Sequence, residues 1–317
     1  MLLNVKNLEV NLSIKKAKFS ILREIEIVLK RGETLALVGE SGCGKTLTAL
    51  SILRLLPPRM RIEKGEIIYE GVNLLNLKEE EIRRIRGKEI AMIFQEPSVA
   101  LNPVFTIGEQ VAEVLRVHQG LNKREAQERT IELLKQVRIP DPHLRYKSYP
   151  HQLSGGMKQR VVIAMALAAE PKVLIADEPT TALDVTVQAQ ILDLLLQLKE
   201  DKGLSLIFIT HNLALTKSFA DAMAVMYFGQ IVEYGNSDSL LKDPYHPYTK
   251  GLISSLPQDP SSPLRPIPGT VPNINAKISG CPFHNRCSYK TQKCSLLCPP
   301  FFETKERKVR CWLYENN

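Results

Sequence analysis

The sequence has no long hydrophobic run, since its longest unbroken apolar stretch covers only residues 161–169. A helix that spans a membrane needs about 20 such residues. The first residues also lack the basic region, apolar run and cleavage site of a signal peptide. Sustained heptads, the pattern of a long coiled coil, are missing as well. We therefore expect a chain that does not cross a bilayer and remains in the cytoplasm.

Composition excludes a second group of proteins, the disordered ones. The chain has 317 residues, 44% of them hydrophobic and 24% charged, as in ordinary globular proteins. The net charge of +8 would suit a nucleic-acid binder or a protein beneath an anionic membrane. Basic residues are dispersed among acidic ones, as in residues 78–84. We therefore expect no nucleic-acid partner and a solvated surface that lies close to a membrane.

A glycine-rich loop at residues 39–46, Gly-Glu-Ser-Gly-Cys-Gly-Lys-Thr, joins the apolar run 34–38 to a helix-like run. Glycines at this turn let backbone N–H groups and the positive end of the helix point at a polyphosphate. Lys45 would reach the β- and γ-phosphates, and the Thr46 hydroxyl would bind Mg²⁺.

Polar residues end three further apolar runs. Asp177 and Glu178 follow run 173–176 and provide a Mg²⁺ ligand and a group that polarises water, as phosphoryl transfer requires. Gln95 follows run 90–94, where it could sense the metal ion, although an edge turn would give the same pattern. His211 follows run 205–210, where it could contact phosphate.

Residues 106–169 have helical periodicity, which predicts a helical insert in the sheet. Within it, Ser154, Gly155 and Gly156 precede an apolar helix. They form either a second anion site or a simple N-cap, and the pattern alone favours the N-cap. Near the N-terminus the pattern predicts strands at 2–10, 13–18 and 21–29. Phe19, between the last two, could stack on adenine or act as a core residue.

In this order and spacing, the elements resemble the ATP-binding subunit of an ABC transporter over residues 1–255. The resemblance identifies Walker A (39–46), the Q-loop glutamine Gln95, the signature (153–159), Walker B (173–177), the D-loop (182–184) and the switch histidine His211. It implies an α/β P-loop NTPase fold with a mostly parallel central sheet, an N-terminal antiparallel β subdomain, a helical subdomain inserted at about 96–169 and a small cysteine-rich C-terminal extension at 256–317.

The family also implies that two subunits meet head to tail, so that the signature of one closes on the ATP of the other. Glu178, His211, Lys45 and Gln95 would then be catalytic, and Thr46, Gln95 and Asp177 would hold Mg²⁺. The ATP-binding set is Phe19, Gly39, Ser41, Gly42, Cys43, Gly44, Lys45, Thr46, Thr48, Ser154, Gly155, Gly156 and Asp184. Met157 replaces the glutamine that is usual in the signature.

Five of the six cysteines lie after residue 280, and in a reducing compartment such a group suggests metal binding before disulfides. The proline-rich linker and cysteines resemble the extension of dipeptide and oligopeptide importer ATPases, which can hold a [4Fe-4S] cluster. The matching ligands are Cys281, Cys287, Cys294 and Cys311, with Cys298 additional. Spacing alone does not choose the cluster over Zn²⁺ or over no metal. A structural clip is the simpler role for such a metal, and a redox sensor is the alternative.

The resemblance predicts an ATPase on the cytoplasmic face of the membrane that powers import of short peptides. Its partners would be a second ATPase subunit, homologous or identical, two transmembrane permeases and, indirectly, an extracellular solute-binding protein. Nickel or oligosaccharide cargo is an alternative because the ATPase does not touch the cargo. A soluble ATPase acting on the ribosome or on DNA is the other alternative, but such proteins generally carry two cassettes or long coiled coils.

Overall fold

The structure is a computed structural model that describes residues 1–15, 17–181, 183–256, 266–273, 276, 278–304 and 307–315. The chain forms two compact units. The first combines Met1–Asn76 with Ile209–Asn317, and the second is Leu77–Phe208. The sequence-based division at residue 255 does not coincide with these units, because the residues that follow it cluster with the N-terminal segment.

The strands, in chain order, are β1 (Leu3–Ile14), β2 (Ala17–Leu29), β3 (Thr34–Val38), β4 (Met60–Tyr69), β5 (Val72–Asn73), β6 (Ile90–Ile93), β7 (Val173–Asp177), β8 (Ser205–Thr210), β9 (Ala222–Tyr227), β10 (Gln230–Asn236), β11 (Phe302–Thr304) and β12 (Arg307–Val309). The helices are α1 (Lys45–Ile52), α2 (Glu79–Ile85), α3 (Pro97–Ala100), α4 (Ile107–Gln119), α5 (Lys123–Gln136), α6 (Pro142–Arg145), α7 (Gly155–Leu167), α8 (Val185–Lys202), α9 (Leu213–Thr216), α10 (Ser237–Lys242), α11 (Pro247–Ser254) and α12 (Gln292–Leu296).

The first unit begins with an antiparallel sheet in the order β2-β1-β4-β5. Strands β1 and β2 form one long hairpin whose pairing runs from Leu3 opposite Leu29 to Ile14 opposite Ala17. The separate strand predicted at 13–18 is therefore wrong. Polar residues at the tip of the hairpin interrupt the hydrophobic pattern there, but not the backbone pairing.

A second sheet of the first unit has the order β11-β12-β10-β9-β3. Strands β3 and β9 pair in parallel and are fully buried, as their continuous apolar sequences predict. Strand β12, which comes from the C-terminal extension, pairs antiparallel with β10 through Glu233 opposite Val309. The extension thus adds two strands to the edge of this sheet.

In the second unit, β8, β7 and β6 lie side by side, with β6 and β7 parallel. Helices α2 to α8 belong to this unit, and side-chain caps define several of their ends. Thr106 caps α4 by accepting a hydrogen bond from the Glu109 N–H, and Asn122 caps α5. The α/β architecture, the N-terminal antiparallel sheet and the helical insert confirm the predicted fold class. Within the described ranges, no helix combines the length and apolar character that crossing a membrane requires.

Candidate functional site

The loop at residues 39–44 follows β3 and leads into α1, and its backbone requires glycine. Gly39 has φ 155°, and a Cβ there would lie 2.2 Å from the carbonyl oxygen of Met226. Gly44 has φ 110°, and its Cβ would lie 2.7 Å from Leu22. Both positions therefore exclude side chains by conformation and by space. The loop curls tightly before the N-terminus of α1, as a phosphate cradle requires.

Lys45 is buried at the start of α1, and its ammonium lies over the curled loop. The Nζ donates hydrogen bonds to the carbonyl oxygens of Gly39 at 2.9 Å and Glu40 at 3.1 Å. The Ser41, Gly42 and Thr46 residues are exposed. A positive charge and exposed loop residues suit a polyphosphate, and Thr46 adds the type of oxygen ligand that Mg²⁺ prefers.

Cys43 and Thr48, two further residues of the predicted ATP set, face the protein interior. Burial raises the pKa of the Cys43 thiol. The Thr48 hydroxyl donates to the carbonyl of Gly44 at 3.1 Å and so ties helix α1 to the loop. Their backbone N–H groups also donate internally, from Cys43 to the Glu40 carbonyl at 3.3 Å and from Thr48 to the Gly44 carbonyl at 2.9 Å.

The predicted adenine residue, Phe19, lies on β2 opposite Leu12 and is half-buried. His211 follows β8 directly and is exposed. Their roles toward a nucleotide remain predictions.

Two carboxylates end β7 in the second unit. Asp177 is buried, and Glu178 follows it with φ 44°, an unusual conformation for a residue with a side chain. The Glu178 carboxylate accepts hydrogen bonds from Gln95 Nε2 at 3.2 Å and Thr181 Oγ1 at 3.0 Å. The structure thus brings together two of the predicted catalytic residues, Gln95 and Glu178.

The signature turn, Ser154–Gly156, lies at the N-terminus of α7, and Ser154 accepts a hydrogen bond from the Met157 N–H at 3.3 Å. The N-cap that the sequence pattern favoured is therefore present. A Cβ on Gly156 would lie 2.7 Å from Val187, whose N–H is bound by the Asp184 carboxylate at 2.9 Å. Signature and Asp184 consequently lie next to each other, whereas Ala182 of the predicted D-loop lies outside the described residues. Ser154 and Gly155 are exposed, so the turn can also meet a ligand.

The C-terminal cysteines divide between two cavities. One, of about 230 Å³, is lined by all four predicted ligands, Cys281, Cys287, Cys294 and Cys311. Cys298 lines the other cavity, with its Sγ 3.7 Å from the Gln230 side chain. We call the first one the cysteine cavity.

The structure does not support the predicted metal cluster. Over the described ranges, no group of three or more Cys, His, Asp or Glu side chains is arranged to hold a metal ion. Burial raises the pKa of Cys281 to about 12 and that of Cys311 to about 11. Burial thus favours the neutral thiol form of Cys281 and Cys311, and each of them would have to lose its proton to become a metal ligand.

Sequence reasoning missed the residues that hold the phosphate loop from outside. The Tyr248 hydroxyl accepts a hydrogen bond from the Glu40 N–H at 2.9 Å. The Glu40 carboxylate accepts two hydrogen bonds from the Arg286 guanidinium, at 2.7 and 3.0 Å. More than 200 positions separate these partners (|i−j| is 208 and 246), so no local pattern could reveal them.

Comparison with known families gives two matches. The model described as "ABC transporter" matches residues 22–181, about half of the chain. The model described as "Oligopeptide/dipeptide transporter, C-terminal region" matches residues 232–294. The second match includes three of the four cysteines that line the cysteine cavity, and it ends at Cys294.

Similar proteins extend over nearly the whole chain. The oligopeptide transport ATP-binding protein OppD of Bacillus subtilis is 48% identical over 98% of this chain and 88% of its own length. The dipeptide transport ATP-binding protein DppD of Haemophilus influenzae is 46% identical over 98% of this chain and 94% of its own. A solved dimeric ATP-binding cassette, MJ0796 bound to ADP and Pi, has a TM-score of 0.67 and 27% identity over 74% of this chain and 99% of its own. With these matches, the phosphate loop and the paired carboxylates show that the chain belongs to the ATP-hydrolysing subunits of the ABC transporter family.

Proposed function

We propose that this subunit powers the import of dipeptides or oligopeptides across the cytoplasmic membrane. The observation that carries the proposal is the match of the C-terminal region to peptide transporters, in a chain whose relatives named for peptide transport align over 98% of its length. Its place would be the cytoplasmic face, against two separate permeases. The second ATPase would be a homologous chain or another copy of this one.

In the proposed reaction, Lys45 and the loop N–H groups bind the phosphates of ATP. Thr46 and Asp177 supply oxygen ligands suited to Mg²⁺, which neutralises phosphate charge when bound. Glu178 acts as the general base on the attacking water. The hydrogen bonds from Gln95 and Thr181 orient its carboxylate. His211 steadies the γ-phosphate, and Phe19 stacks on adenine.

A second subunit would complete the site. Its Ser154, Gly155 and Gly156 would donate to the γ-phosphate from a helix N-terminus, with Asp184 beside them. The exposure of this turn supports the assignment, because a ligand held by another chain can reach it. The solved cassette that resembles this chain is itself dimeric.

The proposal is tested by identifying the partners. Tagged Glu178→Gln should bind ATP without turning it over and so keep the complex closed. Membranes are extracted with Mg²⁺ and ATP, and the copurifying chains are identified by mass spectrometry, with ADP as the control. Two permeases and a second ATPase are expected, and the associated solute-binding protein is then tested with peptides, nickel and oligosaccharides. Ribosomal or DNA-binding proteins without permeases would overturn the transport function, and a non-peptide cargo would overturn only the substrate class.

We also propose that the cysteine cavity holds a [4Fe-4S] cluster in the cell, with Zn²⁺ as the alternative. The support is the placement of four thiols around one cavity, which would have to contract around the cluster. Protein purified without oxygen is analysed for iron, sulfide and zinc. Replacing Cys281 and Cys287 by Ser should remove the metal, whereas the matched control Cys298→Ser should retain it. Full metal content in the double variant would contradict the ligand assignment.

A further inference from the structure

Glu40, the second residue of the phosphate loop, is held through all of its polar groups. Its N–H donates to the Tyr248 hydroxyl at 2.9 Å, and its carbonyl accepts from Lys45 Nζ at 3.1 Å. Its carboxylate accepts two hydrogen bonds from Arg286. The Glu40 N–H shares a peptide unit with the Gly39 carbonyl, which also accepts from Lys45 Nζ, at 2.9 Å. Residues that lie far along the chain therefore hold a peptide unit that binds the lysine.

Arg286 is held by further contacts besides its pair with Glu40. Its side chain is only 5% exposed, its Nε donates to the carbonyl of Pro268 at 2.9 Å, and its guanidinium lies 5.8 Å from the Tyr227 ring centroid. The planar fork is thus fixed in orientation, and both of its ends bind one carboxylate.

The segment that carries Arg286 belongs to the wall of the cysteine cavity. A single turn of 3-10 helix, His284–Arg286, lies between Cys281 and Cys287. Phe283, just before this turn, packs on the Tyr227 and Tyr248 rings at centroid distances of 5.3 and 5.4 Å. The cavity wall and the phosphate loop therefore share one buried cluster.

Electrostatics give the contact a function beyond packing. An acidic side chain on a loop that binds polyphosphate would repel the ligand unless its charge were neutralised. Arg286 is the partner that neutralises it, by binding the side chain of the residue whose carbonyl accepts from Lys45. If Arg286 only attached the extension to the rest of the chain, its side chain would not need to contact the phosphate loop. Arg310 attaches the extension elsewhere, through Glu24 at 3.0 Å.

We infer that Arg286 is a positioning residue of the nucleotide site: it neutralises Glu40 and holds the phosphate loop in the form that binds ATP. The cysteine-rich extension thereby supplies part of the ATP site of its own chain. The inference rests on the phosphate-binding role proposed above for Lys45. Its consequence is that a rearrangement of the cavity wall changes ATP affinity.

A double-mutant cycle on the full chain tests the inference. Affinity for a ribose-labelled fluorescent ATP with Mg²⁺ is measured for Arg286→Gln, Glu40→Gln and the double variant. Arg286→Gln should weaken binding at least about tenfold, since it leaves a charged partner unpaired beside the phosphates. Glu40→Gln removes that repulsion and should have the smaller effect. In the Glu40→Gln background, adding Arg286→Gln should change affinity by less than about twofold.

Matched variants separate positioning from folding. Arg310→Gln breaks the other buried arginine pair of the extension and should leave ATP affinity unchanged. Arg286→Lys keeps the charge and should restore most of the affinity. If Arg286→Gln does not fold, Arg286→Met, which removes the charge but keeps an unbranched side chain, replaces it in the cycle. An equal loss from the Arg286 substitution with and without Glu40 would overturn the inference. Unchanged affinity in Lys45→Ala would instead overturn the phosphate site itself, so the two failures can be told apart.

Discussion

The two glycine-rich turns of this protein precede helices in the same way but are held differently. The phosphate loop is fixed by distant residues, including Tyr248 and Arg286, and its lysine is buried. The signature turn is capped locally by Ser154 and is exposed. The first turn is thus held in shape by tertiary contacts, whereas the second is held only by its local cap among the contacts described above. This difference is expected if one turn holds ATP of its own chain and the other closes on ATP of a partner.

The largest expected effect is a loss of ATP hydrolysis in a variant that alters neither turn. In the proposed mechanism, Glu178→Gln removes the base but keeps the size of the side chain, so turnover should fall about 10²- to 10⁴-fold. ATP affinity should change little, since neither turn is altered. Steady-state hydrolysis by the tagged complex and fluorescent ATP binding by the chain check the two parts. Hydrolysis at the unaltered rate would show that another residue is the base.

The next effect tests whether the phosphate loop is fixed in shape. Gly39→Ala places a Cβ 2.2 Å from the Met226 carbonyl oxygen, so the loop must shift. A shifted loop loses hydrogen bonds to the charged phosphates, each worth about 1.5–3 kcal/mol, so we expect ATP affinity to fall by about ten- to a hundredfold. Gly155→Ala is the matched change in the signature turn, where the nearest atom lies at 3.4 Å. It should bind ATP normally, and equal losses from both variants would remove the distinction between the turns.

A smaller effect tests the role of the signature serine. Ser154→Ala removes an N-cap, which costs about 1 kcal/mol of stability. In the proposed dimer it also removes a donor to the γ-phosphate. Hydrolysis by the complex should fall on the order of tenfold or more, with ATP binding to the single chain unchanged. Thr106→Ala removes the matching cap of α4 in the same unit. If this control slows hydrolysis equally, Ser154 acts only as a cap.

The sequence predicted those parts of the site whose strand, turn and helix follow one another along the chain. Glycines beside an apolar strand predicted the phosphate loop, and two carboxylates after another predicted the end of β7, because strand, turn and helix follow one another along the chain. Helical periodicity predicted the insert in the same way. These signals need no knowledge of distant residues.

The remaining parts depend on contacts that no local pattern contains. The hairpin tip near Lys15 shows no alternation, so its continuous pairing was missed. The attachment of β12 to β10 was missed because short strands of the extension have little apolar sequence of their own. The Arg286–Glu40 pair joins residues that are 246 positions apart, and neither residue is distinctive in its own segment. The hairpin pairing, the attachment of β12 and the Arg286–Glu40 pair all depend on how the folded chain packs.

The smallest expected effect concerns how the extension is attached. Arg310 is buried, but its partner Glu24 is about half exposed (53%), and its guanidinium also lies 4.1 Å from the Phe301 ring centroid. Arg310→Gln should therefore lower the free energy of unfolding by about 1 kcal/mol. Of the two pairs, Arg286–Glu40 and Arg310–Glu24, only the first should affect ATP binding. Thermal unfolding with and without Mg²⁺ and ATP measures this directly, because bound nucleotide should stabilise Arg310→Gln and the wild type equally and Arg286→Gln less. If Mg²⁺ and ATP raised the unfolding temperature of Arg310→Gln less than that of the wild type, any loosening of the extension would weaken the ATP site. The effect of Arg286→Gln would then not be specific to its contact with Glu40.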